Sequence, residues 1–153
     1  MNDINLVDMV EVASHNYYRL VLIVGNPGTG KTRVVQTYSE SINTEIINLN
    51  LMLSEALLGI STKKRPLRLP GVMEDIIESQ ESPVILDNTE LLFDVDLEVD
   101  ALRVLKNYAR NRTIVATWNG EYSNGKLKYA NPGHPDYRIY ESPEIIAVSL
   151  NKK

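Results

Sequence analysis

Short, nearly continuous apolar runs recur along this chain with polar, helix-spaced segments between them. They are Leu20-Val21-Leu22-Ile23-Val24, Ile46-Ile47 within Glu45–Leu49, Val84-Ile85-Leu86 within Pro83–Asp87, Ile114-Val115-Ala116 within Thr113–Asn119, and Ile145-Ile146-Ala147-Val148. Runs that do not alternate are what strands covered on both faces of a parallel sheet require. The intervening segments have helical periodicity. Residues 3–14 place Ile4, Val7 and Val10 on one face, with Asp3 as N-cap. Val34, Val35 and Tyr38 mark a second helix that Asn43 ends, and Leu53, Leu57 and Leu58 mark a third over 51–58. A fourth is predicted over 72–79, with Glu74 and Asp75 in its first turn. A fifth carries Leu97, Ala101, Leu105 and Tyr108, with Asp96 as N-cap and Asn111 as its breaker. Residues 121–129 read as a β-hairpin turning at Asn124-Gly125, and 131–135 as loop. Strands alternating with helices predict an α/β fold with a mainly parallel sheet, in one domain over 1–153.

Between the first strand and the second helix stands Gly25-Asn26-Pro27-Gly28-Thr29-Gly30-Lys31-Thr32, the pattern G-x-x-x-x-G-K-T. The motif has meaning only in this strand-to-helix setting, where chance occurrence is a poor alternative. Glycines let successive backbone N–H groups curl around phosphate oxygens, and the helix N-terminus adds its positive end. Lys31 is expected to reach the β- and γ-phosphates and the Thr32 hydroxyl to hold a magnesium ion, with Arg33 beside them. Asp87 closes an apolar strand, the position from which a carboxylate supports that metal. Alone, such a string is also just a strand meeting a turn. The phosphate loop, Asp87 and Asn119 all fall at the carboxyl ends of strands, where open α/β sheets bind ligands. The sole tryptophan, Trp118, adjoins Asn119 and is expected to report on a filled site.

Composition changes this picture little. The 153 residues are 43% hydrophobic and 24% charged, ordinary for a globular protein with a sizeable core. A net charge of −4 gives no global basic footprint for nucleic acid. The absence of cysteine excludes disulfides, thiolate zinc sites and thiol catalysis. No apolar run approaches a membrane span, and the start of the chain lacks the features of a signal peptide. The expected location is cytoplasmic. Lys63, Lys64, Arg65 and Arg68 form one basic, proline-broken segment, read either as a solvated loop or as a contact for DNA phosphates or an acidic partner.

Among phosphate-loop proteins, a GTPase is excluded by the lack of N-K-x-D and by Asp87-Asn88-Thr89-Glu90 in place of D-x-x-G. A small-molecule phosphotransferase stays open, although no arginine-rich lid is visible. The stretch Asn26–Thr32 resembles the phosphate loop of AAA+ ATPases, and Ile114–Asn119 resembles their sensor-one strand, which ends in a polar residue near the γ-phosphate. The resemblance implies ATP and magnesium as cofactors and self-association. It gives Arg138, shortly before the last strand, the role of an arginine finger aimed at a neighbouring subunit, with an ordinary loop arginine as the alternative. Two departures stand out. Asn88 replaces the usual water-activating Glu, leaving Glu90 as the nearest substitute unless it only caps a helix. The chain also ends where a C-terminal helical lid would begin, so the expected architecture is AAA+-like without that lid.

Nearly the whole chain resembles the BrxF family, small P-loop proteins of type-three BREX bacteriophage-exclusion systems. The phosphate loop, Leu49–Glu55, Leu86–Asp94, Arg110–Gly120 and Tyr129–Arg138 carry the likeness. It implies work with other BREX proteins, including a methyltransferase and larger ATPases, against phage DNA. Three functions therefore remain: an assembly-dependent ATPase, with Lys31, Asp87, Glu90, Asn119 and Arg138 as its catalytic set; a small-molecule phosphotransferase; or a nucleotide-stabilised scaffold or DNA-binding module without turnover.

Overall fold

The computed structural model describes residues 5–130, 137–141 and 143–151. The apolar runs form a parallel sheet of β1 (Leu20–Gly25), β2 (Ile46–Asn48), β3 (Val84–Asp87), β4 (Ile114–Ser123) and β7 (Ile146–Ser149), in the order β2-β3-β4-β1-β7. Register decides what lies side by side at the carboxyl end: Gly25 is opposite Asn119, and Asn48 opposite Asp87. β4 thus separates the strand feeding the phosphate loop from the strand ending in Asp87.

Alternating side chains of β1 feed two cores. Val21 and Ile23 pack with Leu6 and Ala13 of α1 (Leu6–Ala13) and with Val35 and Tyr38 of α2 (Lys31–Ile42). Leu20, Leu22 and Val24 face the larger core of α3 (Leu49–Ala56), α4 (Arg65–Glu78) and α5 (Ala101–Tyr108). Every residue of β1 is buried, as a central parallel strand requires.

Several boundaries differ from those read in the sequence. Helix α1 is capped by Asn5, whose side chain accepts from the Asp8 N–H, and it buries Leu6 and Ala13 while Val7 is 51% exposed. Asp3 and Ile4 lie outside the described residues. Leu53 and Leu57 are buried as expected, but Leu58 is 80% exposed, because α3 starts at Asn48's cap and has ended by then. The basic segment is turn only as far as Lys64: α4 begins at Arg65 and takes in Arg68. Pro66 is tolerated in the first turn, where N–H groups lack intrahelical partners, and Pro70 forgoes only the bond to the Pro66 carbonyl. Asp96 and Leu97 belong to a short 3-10 turn, and the cap of α5 is Asp100, accepting from the Arg103 N–H.

The hairpin is not separate from the sheet. β4 runs through Ser123, turns at Asn124 (φ 53°) and Gly125 (φ 74°), and returns as β5 (Lys126–Tyr129), which pairs with β6 (Arg138–Glu141). Two consecutive positive-φ residues give the turn whose twist suits a two-residue hairpin. The loop predicted over 131–135 lies outside the described residues.

Candidate nucleotide-phosphate site

The phosphate loop leaves β1 at Gly25 and enters α2 at Lys31. Gly28 (φ 84°) and Gly30 (φ 96°) take the left-handed conformation, and a Cβ on either would meet no atom within 4 Å, so the loop's outer side is open. Gly30 caps α2 without a side chain, leaving the first-turn N–H groups uncommitted to any side-chain oxygen. That is the condition for an anion at a helix N-terminus. The Thr29 hydroxyl and N–H both donate to the Asn26 carbonyl, at 2.8 and 3.2 Å, fixing the turn. Lys31 Nζ donates to the carbonyls of Gly25 at 2.9 Å and Asn26 at 3.1 Å. Burial lowers the Lys31 pKa, while the charges of Glu90 and Asp87 pull it back up. Arg33 is exposed on α2.

The end of β3 answers this loop. Thr32 Oγ1 donates to Asp87 Oδ2 at 2.8 Å, and Thr117 Oγ1 of β4 donates to Asp87 Oδ1 at 2.9 Å. The Asn88 N–H also donates to Oδ1, so the buried carboxylate is held by three donors. Asn88 itself has φ 54°, a left-handed bend that turns the chain at the strand's end.

Glu90 opens the 3-10 turn Glu90–Phe93, but its carboxylate faces the site rather than capping a helix. Asn119 Nδ2 donates to Glu90 Oε1 at 2.8 Å and Asn50 Nδ2 to Oε2 at 3.0 Å. Asn50 is locked in turn, its Oδ1 accepting from the Leu91 N–H and its own N–H donating to the Asn88 carbonyl, both at 2.8 Å. Glu90 is thereby oriented at the edge of a cleft of about 340 Å³ shared with Asn50, Ser54, Leu91 and Asp94.

The structure therefore gathers Lys31, Thr32, Asp87, Glu90 and Asn119. It adds three residues that the sequence did not single out. Thr117 and Asn50 hold the two carboxylates. Asn151 clips the loop to β4, its Oδ1 accepting from the Asn26 N–H and its Nδ2 donating to the Gly120 carbonyl, both at 2.8 Å. Thr117's signal was its place two residues before Asn119 on the same strand face; Asn50 and Asn151 had no local signal at all.

Other expected residues stand elsewhere. Arg138 is not a loop residue but opens β6, two strands from Gly120 through the pairings Gly120–Tyr129 and Tyr129–Arg138. Its Nη1 donates to the Tyr137 carbonyl, and with Glu98 and Asp100 it lines a second cleft of about 460 Å³ that shares Asp94 with the first. Trp118 is fully buried on the face of β4 opposite Asn119. Its Nε1 donates to the Lys128 carbonyl, and its ring packs edge-on against Phe93, Tyr129 and Tyr140, which removes it from the site wall. Lys63 and Lys64 are exposed in the turn before α4 and Arg68 in its first turn, whereas Arg65 donates to the Ile60 carbonyl.

The donor set suits a hard cation beside phosphate: a hydroxyl from Thr32 and a carboxylate oxygen from Asp87, adjacent and all oxygen. Among the described residues, no three His, Cys, Asp or Glu side chains gather around one point. A divalent ion here would take its remaining ligands from phosphate and water. No helix among the described residues is long and apolar enough to cross a membrane.

Comparison with known proteins gives distant similarity to AAA+ ATPases. No protein-family model matches the chain. Over 109 residues, 68% of the chain, it is 23% identical to the vesicular-fusion protein SEC18 of Candida albicans, and that stretch is 14% of the relative's length. The structure of C. elegans PCH-2 superposes with a TM-score of 0.42 at 20% identity, covering 96% of this chain and 40% of that one.

Proposed function

We propose that this chain is an AAA+-like protein that binds ATP with magnesium in the loop 25–32 and hydrolyses it slowly, at a rate set by assembly. The observation that carries the reading is the 2.8 Å bond between Thr32 and Asp87, which sets a loop hydroxyl beside the carboxylate at the end of β3. In this reading the first-turn N–H groups and Lys31 bind the phosphates. Thr32 with Asp87 would hold a magnesium ion, which would supply charge neutralisation there. Glu90 would orient the attacking water and accept its proton, with Asn119 holding Glu90 in place. Arg138 is proposed as a counter-charge delivered to a second copy, a contribution worth about 10³–10⁵ in rate where such arginines operate. The finer proposal is that the partners are other proteins of a BREX system, as the resemblance to BrxF implies.

A second reading, a nucleotide-stabilised scaffold without turnover, has its own support. Asn88 stands where a base would, and both oxygens of Glu90 are already engaged by amides. Phosphate release measured over a range of protein concentrations separates these readings. Turnover per subunit that rises with concentration, without any acceptor, is the result expected of an assembly-dependent ATPase. Release that requires an added acceptor indicates a phosphotransferase, and saturated binding without release at any concentration indicates the scaffold.

A further inference from the structure

At the amino end of β1, about 20 Å from the phosphate loop for a six-residue strand, lies a second surface with its own chemistry. Tyr17 and Tyr18 meet edge to face there, with ring centroids 4.8 Å apart. The Arg110 guanidinium lies 4.6 Å from the centre of the Tyr17 ring, and Lys106 Nζ 4.4 Å from that of Tyr18. Arg103 and Lys106 share one face of α5, three residues apart, and Arg110 follows in the turn that ends it. The Arg19 N–H donates to the Ala109 carbonyl at 2.8 Å, which ties the tyrosine segment to that turn.

The three cations are not neutralised locally. Among the described residues the ion pairs are Lys126–Glu141 and Lys128–Glu121, with a hydrogen-bond contact between His15 and Glu11, and none of these involves the three cations. Of the carboxylates on this and adjoining elements, Asp100 caps α5, accepting from the Arg103 N–H and the Tyr140 hydroxyl, Glu11 contacts His15, and Glu74 and Glu78 act on Tyr108 from α4. In a chain of net charge −4, this is a concentrated positive field with an aromatic ring in it. Tyr17 is 63% exposed even with Arg110 against its ring and Tyr18 edge to face with it, so much of this aromatic–guanidinium surface is open to solvent.

We propose that this face binds single-stranded nucleic acid, with a base stacked on Tyr17 and phosphates on Arg103, Lys106 and Arg110. An unstacked base supplies the flat partner that an open ring and guanidinium take up, and the flanking phosphates supply the charge. Neither a duplex nor an acidic protein surface needs the ring. The start of α4 fits this ligand less well: Arg65 is already engaged there, and Leu58 and Leu67 stand 80% and 82% exposed among the cations. The inference is independent of the ATP reading, because the two surfaces lie at opposite ends of β1.

Anisotropy of a short labelled oligothymidylate, titrated with the full chain across a salt series, tests it. Wild type should bind at low salt with a log–log salt slope near −2, that is about −0.7 for each of three phosphates. The triple variant Arg103→Ala, Lys106→Ala, Arg110→Ala should lose both affinity and slope. Tyr17→Ala should weaken binding about tenfold with the slope unchanged, and Tyr17→Phe should restore it, which a merely structural tyrosine hydroxyl would not allow. Lys63→Ala with Lys64→Ala and Arg68→Ala should bind like wild type, as should Lys31→Ala, whatever its effect on ATP. The proposal is overturned if wild type ignores the oligonucleotide, which leaves the face to an acidic partner protein. It is equally overturned if the triple variant binds like wild type, or if a duplex competes equally and Tyr17→Ala has no effect.

Discussion

Glu90 has each carboxylate oxygen against a different side-chain amide, Asn50 on one side and Asn119 on the other, while Lys31 feels its charge. A group fixed this way acts only through its carboxylate. Glu90→Gln places an NH₂ against one of two amide donors, so its orientation is lost along with its basicity. The expected outcome is a large fall in phosphate release with ATP affinity near wild type. A variant that keeps turnover and only melts earlier would make Glu90 structural. Asp87→Ala, by contrast, leaves the Thr32 and Thr117 hydroxyls without their acceptor and should abolish release altogether. Trp118 gives a simpler check. Enclosed by Phe93, Tyr129 and Tyr140, it should keep its emission unchanged as ATP saturates the site; a saturable change would put its ring in the wall after all.

At the scale of elements, Asn151 and the β5–β6 hairpin matter most. Asn151→Ala removes two hydrogen bonds that join the phosphate loop to β4 and should cost about 1–2 kcal/mol of stability. Asn151→Asp keeps the acceptor for the Asn26 N–H but turns a carboxylate oxygen to the Gly120 carbonyl and adds negative charge beside the loop, so it should bind ATP less tightly than wild type, a difference that calorimetry reads directly. In the hairpin, Tyr140 donates to Asp100 at 2.9 Å, and burial followed by that bond pushes its pKa well above the ordinary 10.0. Because the unfolded chain gives up this proton first, the stabilisation is fully present below pH 10 and is lost as pH rises beyond it. Denaturation at alkaline pH should therefore show a gentler loss of stability for Tyr140→Phe than for wild type.

Over the whole molecule, what could be read in the sequence was whatever local chemistry specifies. The parallel strands were visible as apolar runs, α2 ended at Asn43 in the left-handed conformation, and the hairpin turned at Asn124-Gly125. The glycine-rich loop 25–32 and the strand-end Asp87 leave local traces, and the structure brings them together. What was not visible depended on distance or on competition. Pro66 and Pro70 read as helix breakers, yet a first turn has few N–H groups to lose, and burial of Leu69, Met73 and Ile77 carries α4 through them. Asn50 meets Glu90 across 40 residues, and Asn151 meets Asn26 across 125, pairings that only the sheet order creates. Arg138 looked like a loop residue because its own strand, β6, which pairs with β5 at Tyr129, has no apolar run. Its proposed role is tested by mixing Arg138→Ala with Lys31→Ala: partial recovery of turnover is expected where an intact loop meets an intact arginine.

The central claim is that the loop 25–32 binds ATP, and melting temperature tests it most directly. At a hundred times Kd, ATP with magnesium should stabilise the fold by about 2.7 kcal/mol, a rise of roughly 5–10 °C for a domain of this size. Lys31→Ala, which keeps the helix but removes the ammonium above the loop carbonyls, should lose most of that rise. A wild-type chain whose melting temperature does not move at millimolar ATP, or a Lys31→Ala variant that rises as much as wild type, would contradict the account.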